Sequence, residues 1–542
     1  VLKESDVNIV DISYLLFRYP KWIKKCKLLV VRKNAHIKHR KFIIFDCLGT
    51  SAEVGAFTST IDGMLTCILG RVLFRKNGLD YLPLNAFHWD QELFEKSVHD
   101  FTQKLIPELF PVPSIELKDF PLHYGGSLRK SYIRAVELWY SRGDIAEDAH
   151  IRMFPKFEKD IRSEKQNRIM RAISPPGPVA RARIGAHIKP KEHLLYLAIN
   201  RIYGYPVVAK GMTYDDVADV KMFAWRKYKQ PVAIDIDVEK CDASITVGML
   251  TWVFDILVRM APIDERNDLK FLLNRQMFSV VKGRTQDGHF SYVLSGTLTS
   301  GQAYTSLTAI LIILAILYPH VHGMSVINMG DDTTIIGEKA DVYKLRSNLT
   351  TIFSAVNMII TISEVWTYLE RSIFCQTQCV NTSSGLRTIR TPHRALTLDS
   401  VCLDNLGPVM LAAWCRGVGL GGLANHGGIP VMQNFYRMFV RAHDRFVCNT
   451  LLSKRQRKRM ISKELSLAKI KEKGFVVKAQ YSYTQVSCED RISFFIAVGM
   501  TPQHQIILEK YYDSITLRLE DEVCVKMIIG NAFSDFYDVI GS

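Results

Sequence analysis

Two carboxylates, Asp331 and Asp332, stand side by side directly after Gly330. β-Prone residues flank them at 324–327 and 333–336, so the segment reads as a strand, a tight turn and a strand, with the acids at the tip. Adjacent like charges repel unless a cation neutralises them, and a hard divalent ion is the usual remedy. The plain alternative is a solvated Gly-Asp turn. A second apolar run, Pro231–Val238, carries Asp235 and Asp237, which strand periodicity puts on one face. Carboxylates in such a run are costly unless they bind something. Asp242 follows after four residues, enough to leave the strand and turn. With both segments on one sheet edge, Asp237, Asp331 and Asp332 would hold two Mg2+ ions, Mn2+ being the substitute. The chemistry is then in-line displacement of pyrophosphate by a hydroxyl.

A cationic stretch precedes these acids: Lys156, Lys159, Arg168, Arg171, Arg181 and Arg183, around the proline-stiffened turn 174–178. Lysines three apart, then arginines on stiff backbone, can clamp a triphosphate, the arginines bidentately. A bland basic loop is the competing reading. Between the acids lies the hydroxyl- and glycine-rich loop 295–302, with Ser295, Gly296 and Thr299, running into the apolar stretch 307–317. A loop opening a helix beside a metal site can touch a phosphate or ribose.

These residues sit in a 542-residue chain with formal charge +16, 48% hydrophobic and 23% charged, which excludes a disordered chain and predicts two to four domains or subdomains. The charge excess points to a polyanion, nucleic acid before an acidic membrane surface. Residues 1–120 carry a basic belt (Lys21, Lys24, Lys25, Arg40, Lys41) with interleaved Tyr19 and Trp22, suited to RNA or equally to a solvated surface. The eleven cysteines form no CxxC pair and read as reduced, mostly buried thiols. The run 307–317 is too short to cross a bilayer and reads as a buried core helix. Further helices are expected over 60–74, from Ser131 and over 187–205, with a loop over 79–87 and a basic helix from Lys454 through Lys469, Lys471 and Lys473. The first residue is Val, so the chain reads as a fragment, a processed product or a shortened form.

In order and spacing, Asp237-x4-Asp242, Ser295-Gly296 and Gly330-Asp331-Asp332 resemble motifs A, B and C of viral RNA-dependent RNA polymerases. Arg171 to Pro176 and Ala209-Lys210-Gly211 are similar to the motif F region of the tombusvirus-like branch. Phe374-Cys375-Gln376 and Arg390-Thr391-Pro392 are similar to its motif E, and 417–436 and 491–505 to its thumb. The resemblance spans roughly 120–510. It implies an α+β right hand, with an N-terminal extension and part of the fingers at 1–120, fingers at 121–230, palm at 231–395 and a mainly helical thumb at 396–542.

The resemblance makes Asp237 and Asp331 metal ligands and Asp332 a weaker one, and has Asp242 bond the ribose hydroxyls of the incoming NTP. Arg171, Lys156 and Lys159 would bind the triphosphate. Gly125, Gly126, Ser127 and Arg129 would contact template RNA, and Cys375 and Gln376 the RNA near the site. Three departures stand out: Tyr304 occupies the usual motif B Asn position, leaving Gln302 or Thr299 to read the sugar; 356–364 holds no motif D lysine; and Pro176 follows Pro175 where arginine is common.

The implied partners are template and product RNA, NTPs, other viral replication proteins, and host membranes reached through a partner or a missing N-terminal region. The implied location is the host cytoplasm, at membrane-associated replication complexes. A reverse transcriptase would want a bulky aromatic where Asp242 stands. A catalytically impaired RNA-binding scaffold, the reading from another class, draws on the departures.

Overall fold

The computed structural model describes residues 7–11, 27–39, 42–45, 47–50, 54–77, 80–83, 91–161, 169–294, 296–467, 482–517, 519 and 525–526. Most of the basic belt, Arg168, Ser295, Lys469, Lys471 and Lys473 lie outside them.

Helix Thr305–Leu317 is the centre of the largest core, and every side chain from Leu307 to Leu317 is buried. An all-round apolar helix has no solvent face to offer, so it must be enclosed. Truncating one of its leucines to alanine costs roughly 2–5 kcal/mol through the cavity left behind. A four-stranded antiparallel sheet shares this core, in the order Ser325–Asn328, Asp332–Glu338, Pro231–Val238, Ile360–Ile362. Helix Lys339–Ala355 packs on the same sheet.

A six-stranded sheet runs Val7–Asp11, Lys27–Arg32, Gly288–Val293, Val280–Thr285, Ile151–Pro155, Ala172–Ile173. Only the pair of Val280–Thr285 with Ile151–Pro155 is parallel. The C-terminal part is helical, with Pro408–His426 against Met432–Asn449 and then Lys454–Leu467, Cys488–Val498 and Pro502–Ser514. Strand Phe42–Ile44 pairs with Val401–Cys402 on one side and Val525–Lys526 on the other, tying the N-terminal part of the chain to its C-terminal part.

Several local expectations change. Helix Gly126–Arg142 begins five residues before Ser131, because Leu128, Arg129 and Lys130 are good helix formers and extend it back to Gly126. The expected loop at 79–87 contains strand Asp80–Pro83, paired with Phe74–Asn77. Helix Pro178–Tyr203 starts well before His187, with Pro178 in the first turn, where a missing N–H costs nothing. The helix over 60–74 is α-helical only at Ile61–Cys67 and becomes a π-helix over Ile68–Leu73, which carries Arg71. Among the described residues nine cysteines are free thiols, Cys448 and Cys488 exposed and the others at least partly buried, and no helix is long and apolar enough to cross a membrane.

Candidate active site

Antiparallel pairing sets Asp237 directly opposite Asp332 and Asp235 opposite Thr334, so two strands deliver their acids to one sheet end. The turn that joins Ser325–Asn328 to Asp332–Glu338 needs Gly330, whose φ of +90° lies in the left-handed region. A Cβ there would meet Ala309 at an ordinary 3.5 Å, so conformation and not crowding demands glycine. Asn328, fully buried, fastens the turn from inside: its Nδ2 donates to the Gly330 carbonyl (2.8 Å) and Thr333 Oγ1 (2.8 Å), and its Oδ1 accepts from Gly330 N–H (3.0 Å). Val238 N–H donates to the Asp331 carbonyl (3.2 Å), locking the turn to the neighbouring strand.

Asp237 and Asp331 are exposed, while Asp332 and Asp242 are half-buried. Burial, then the charges of Asp331 and Asp237, push the Asp332 carboxyl up to about 6, against a hydrogen bond from the Cys375 thiol. Asp242 follows Lys240, held at φ +49°, on the short helix Cys241–Ser244. Burial and then Asp331 raise it to about 6, while Arg171 and Arg71 pull it down. Carboxyls that resist ionisation, as those of Asp332 and Asp242 do, are ones that a hard cation stabilises, and an all-oxygen donor set fits Mg2+. Among the described residues no three acidic, His or Cys side chains already converge as a finished metal cage.

The clamp expected before these acids is partly assembled. Arg171 and Lys156 share Glu158 (3.7 and 3.1 Å), an acid in the clamp that the sequence reading passed over. Lys159 does not join them. The chain turns away to pair Asp160–Ile161 with Val54–Gly55, and the Lys159 ammonium donates to the Leu398 carbonyl, where burial lowers its pKa. Arg183 is taken by Asp144 and Asp268.

In the 296–302 loop, Gly296 has φ +78° and its N–H donates to the Met277 carbonyl (2.8 Å). Ser174 N–H donates to the Ser300 carbonyl (2.7 Å), joining this loop to the proline turn. Tyr304 is buried against Phe254 in the core and does not face the site, because a large ring gains more by burial there. Gln302 donates to Gln276 (3.1 Å), and among the described residues Gln302 Oε1 and Thr299 Oγ1 are buried without a partner.

The segment Phe374–Thr377 forms a second tight turn, closed by Phe374 N–H to Thr377 O (3.0 Å) and Thr377 N–H to Phe374 O (2.9 Å). Cys375 and Gln376 both have positive φ, +50° and +60°, a conformation usually left to Asn-Gly. At roughly 1–2 kcal/mol per residue, the strain needs support from outside the turn.

Gly125, Gly126, Ser127 and Arg129 are exposed at the start of helix Gly126–Arg142. Ser127 opens a cleft of about 740 Å³ whose lining includes Lys130, Arg134, Arg152 and Lys282. Arg152 and Lys282 meet there by parallel register between strands distant in sequence. This cleft and Arg71 escaped the sequence reading.

The viral RNA-dependent RNA polymerase family model matches residues 28–520. The chain is 28% identical over 515 residues to the RNA-directed RNA polymerase of tobacco necrosis virus (strain A), covering 92% of this chain and 67% of that protein. It is 30% identical over 506 residues to that of oat chlorotic stunt virus, covering 91% and 66%. The polymerase of carnation mottle virus is 31% identical over 400 residues, covering 73% and 50%. The chain spans about half to two thirds of the length of these curated relatives. With the match running through both acid-bearing strands and the strained turn beside them, the chain belongs to the viral RNA-dependent RNA polymerase family.

Proposed function

We propose that this chain performs template-directed RNA synthesis, joining NTPs to an RNA 3′-OH, with the four-stranded sheet as palm, the six-stranded sheet as part of the fingers and the C-terminal helices as thumb. The observation that carries this reading is the register that sets Asp237 opposite Asp332, beside Asp331, with Arg171 acting on Asp242. Asp237, Asp331 and Asp332 would hold Mg2+, with Mn2+ as substitute. Such ions lower the pKa of an attacking hydroxyl and neutralise charge on a transferring phosphoryl group.

The chain's own residues do the rest. Asp242 bonds the ribose hydroxyls, and Arg171 with Lys156 takes the triphosphate as Glu158 gives up its share of both. Among the described residues Thr299 and Gln302 each keep a buried polar atom without a partner, a cost of about 1–3 kcal/mol that a sugar hydroxyl would relieve. With Tyr304 in the core, these two take the sugar-reading part that the motif B Asn plays in related enzymes. The cleft beside Ser127 would take template backbone on Lys130, Arg134, Arg152 and Lys282. Cys375 and Gln376 would meet the growing end. Replication proteins and host membranes in the cytoplasm complete the setting we propose.

The test is primer extension on a short RNA template with NTPs and Mg2+, with EDTA and Asp331→Ala in parallel. Extension that falls roughly 10³-fold in Asp331→Ala, with RNA binding intact, is the expected result. RNA binding without metal-dependent extension by the wild type would instead favour the non-catalytic scaffold.

A further inference from the structure

Asp235 is chemically the twin of Asp237, two residues away on the same strand, yet its surroundings are different. Its Oδ1 accepts from Thr334 Oγ1 (2.7 Å) and Ser372 Oγ (2.7 Å), and its Oδ2 accepts from Trp366 Nε1 (3.0 Å) and the Ile373 N–H (2.8 Å). Four donors fill this carboxylate, which therefore has no lone pair to offer a metal ion or substrate. Ser372, wholly buried, also accepts from the ammonium of Lys221, itself 1% exposed. A half-buried anion and a buried cation thus share one hydroxyl, and the cation also stands 5.4 Å from the centre of the Phe374 ring.

This network ends at the strained turn. Ser372 and Ile373 lead straight into Phe374–Thr377, and Thr334 lies two residues beyond Asp332 on the paired strand. The external support that two consecutive left-handed residues require is present here, and it originates on the strand that carries Asp237.

We infer that Asp235 is a positioning residue: through Ser372, Ile373 and Lys221 it holds the turn Phe374–Thr377 in place, and so sets where Cys375 stands against Asp332. Its consequence for catalysis rests on the polymerase reading; the positional link does not. By this link a primer terminus lying against the turn is kept in register with the carboxylates.

Two variants probe the link by opposite routes. Asp235→Asn keeps the hydrogen-bond count, because its oxygen can face Trp366 and Ile373 while its amide faces hydroxyls that turn to accept; it deletes only the charge. Ser372→Ala keeps the charge and deletes the shared hydroxyl. The first readout is the iodoacetamide alkylation rate of each cysteine in metal-free protein, followed by peptide mass spectrometry. Both variants should speed alkylation of Cys375 about three- to tenfold, Ser372→Ala through one lost hydrogen bond and Asp235→Asn through the weaker bonds of an uncharged acceptor, with buried Cys67 and Cys415 unaffected. The second readout is steady-state extension, in which the KM for the primer terminus should rise about three- to tenfold while the KM for NTP stays within about twofold.

Unchanged Cys375 reactivity in both variants overturns the inference. So does faster alkylation of all three cysteines with a lowered melting temperature, which would make Asp235 a general stabiliser, or an equal rise in both KM values. If the wild type extends no primer, the polymerase reading fails and the alkylation result alone decides this one.

Discussion

Two tight turns meet at Asp332, and they are held in contrasting ways. The turn at 328–332 is supported largely by its own residues: Gly330 takes the left-handed position and Asn328 bonds what lies within five residues of it. The turn at 374–377 forces Cys375 and Gln376 into that region and draws its support from Asp235, Lys221 and Trp366, all outside it. The first is locally determined and carries acids that must stay fixed under repulsion. The second is strained and depends on the rest of the fold, so its position reports on the assembly of the whole sheet.

The comparison breaks most visibly at Asn328. Asn328→Ala removes three buried side-chain hydrogen bonds from the first turn and should cost about 2–4 kcal/mol, read as a lowered midpoint in urea denaturation. A midpoint unchanged by this substitution would mean that the backbone pairing alone holds the turn.

A smaller effect is expected at Asp332, and it depends on pH. Its folded-state pKa of about 6 lies above the ordinary 3.8, so the folded protein binds the proton more tightly than the unfolded chain. The stabilising contribution is therefore full below 3.8, falls as pH rises towards 6, and stays lost above it. Asp332→Asn escapes that loss. In EDTA it should gain about 1–3 kcal/mol over wild type at pH 7–8, with the gain vanishing near pH 4. Added Mg2+ should stabilise the wild type and leave the variant much less affected. A pH-independent difference in thermal melts would remove Asp332 from the repelling cluster.

The smallest effects should have opposite signs at the two turns. Gly330→Ala places a side chain at φ +90° and should cost about 1–2 kcal/mol. Gln376→Gly relieves a comparable strain but adds unfolded-state entropy, leaving a gain of under about 1 kcal/mol. Equal signs in denaturant titrations would show that strain is not what separates the turns.

Much of the candidate site is legible in the sequence. Asp237, Asp242, Asp331 and Asp332 stand in motifs a few residues long, and the hairpin and the apolar helix follow from local periodicity. Lys159 was misplaced for a physical reason. Motif spacing locates the backbone of a long side chain, while its tip goes to whatever partner the fold brings near, here the Leu398 carbonyl.

By itself the sequence determined the order of the acids, their strands, the glycine at the turn and the excess of positive charge, because period-two burial and left-handed turns act over a handful of residues. Only the tertiary structure decided what becomes of Asp235, the like carboxylate on the strand that carries Asp237. Asp235 finds Thr334, Trp366 and Ser372 at separations of 99, 131 and 137 residues. Those donors saturate it, while the exposed Asp237, one pleat further on, meets Asp332 at the sheet end. Chains of equal local pattern differ in such partners because long-range pairing is chosen by the packed core as a whole.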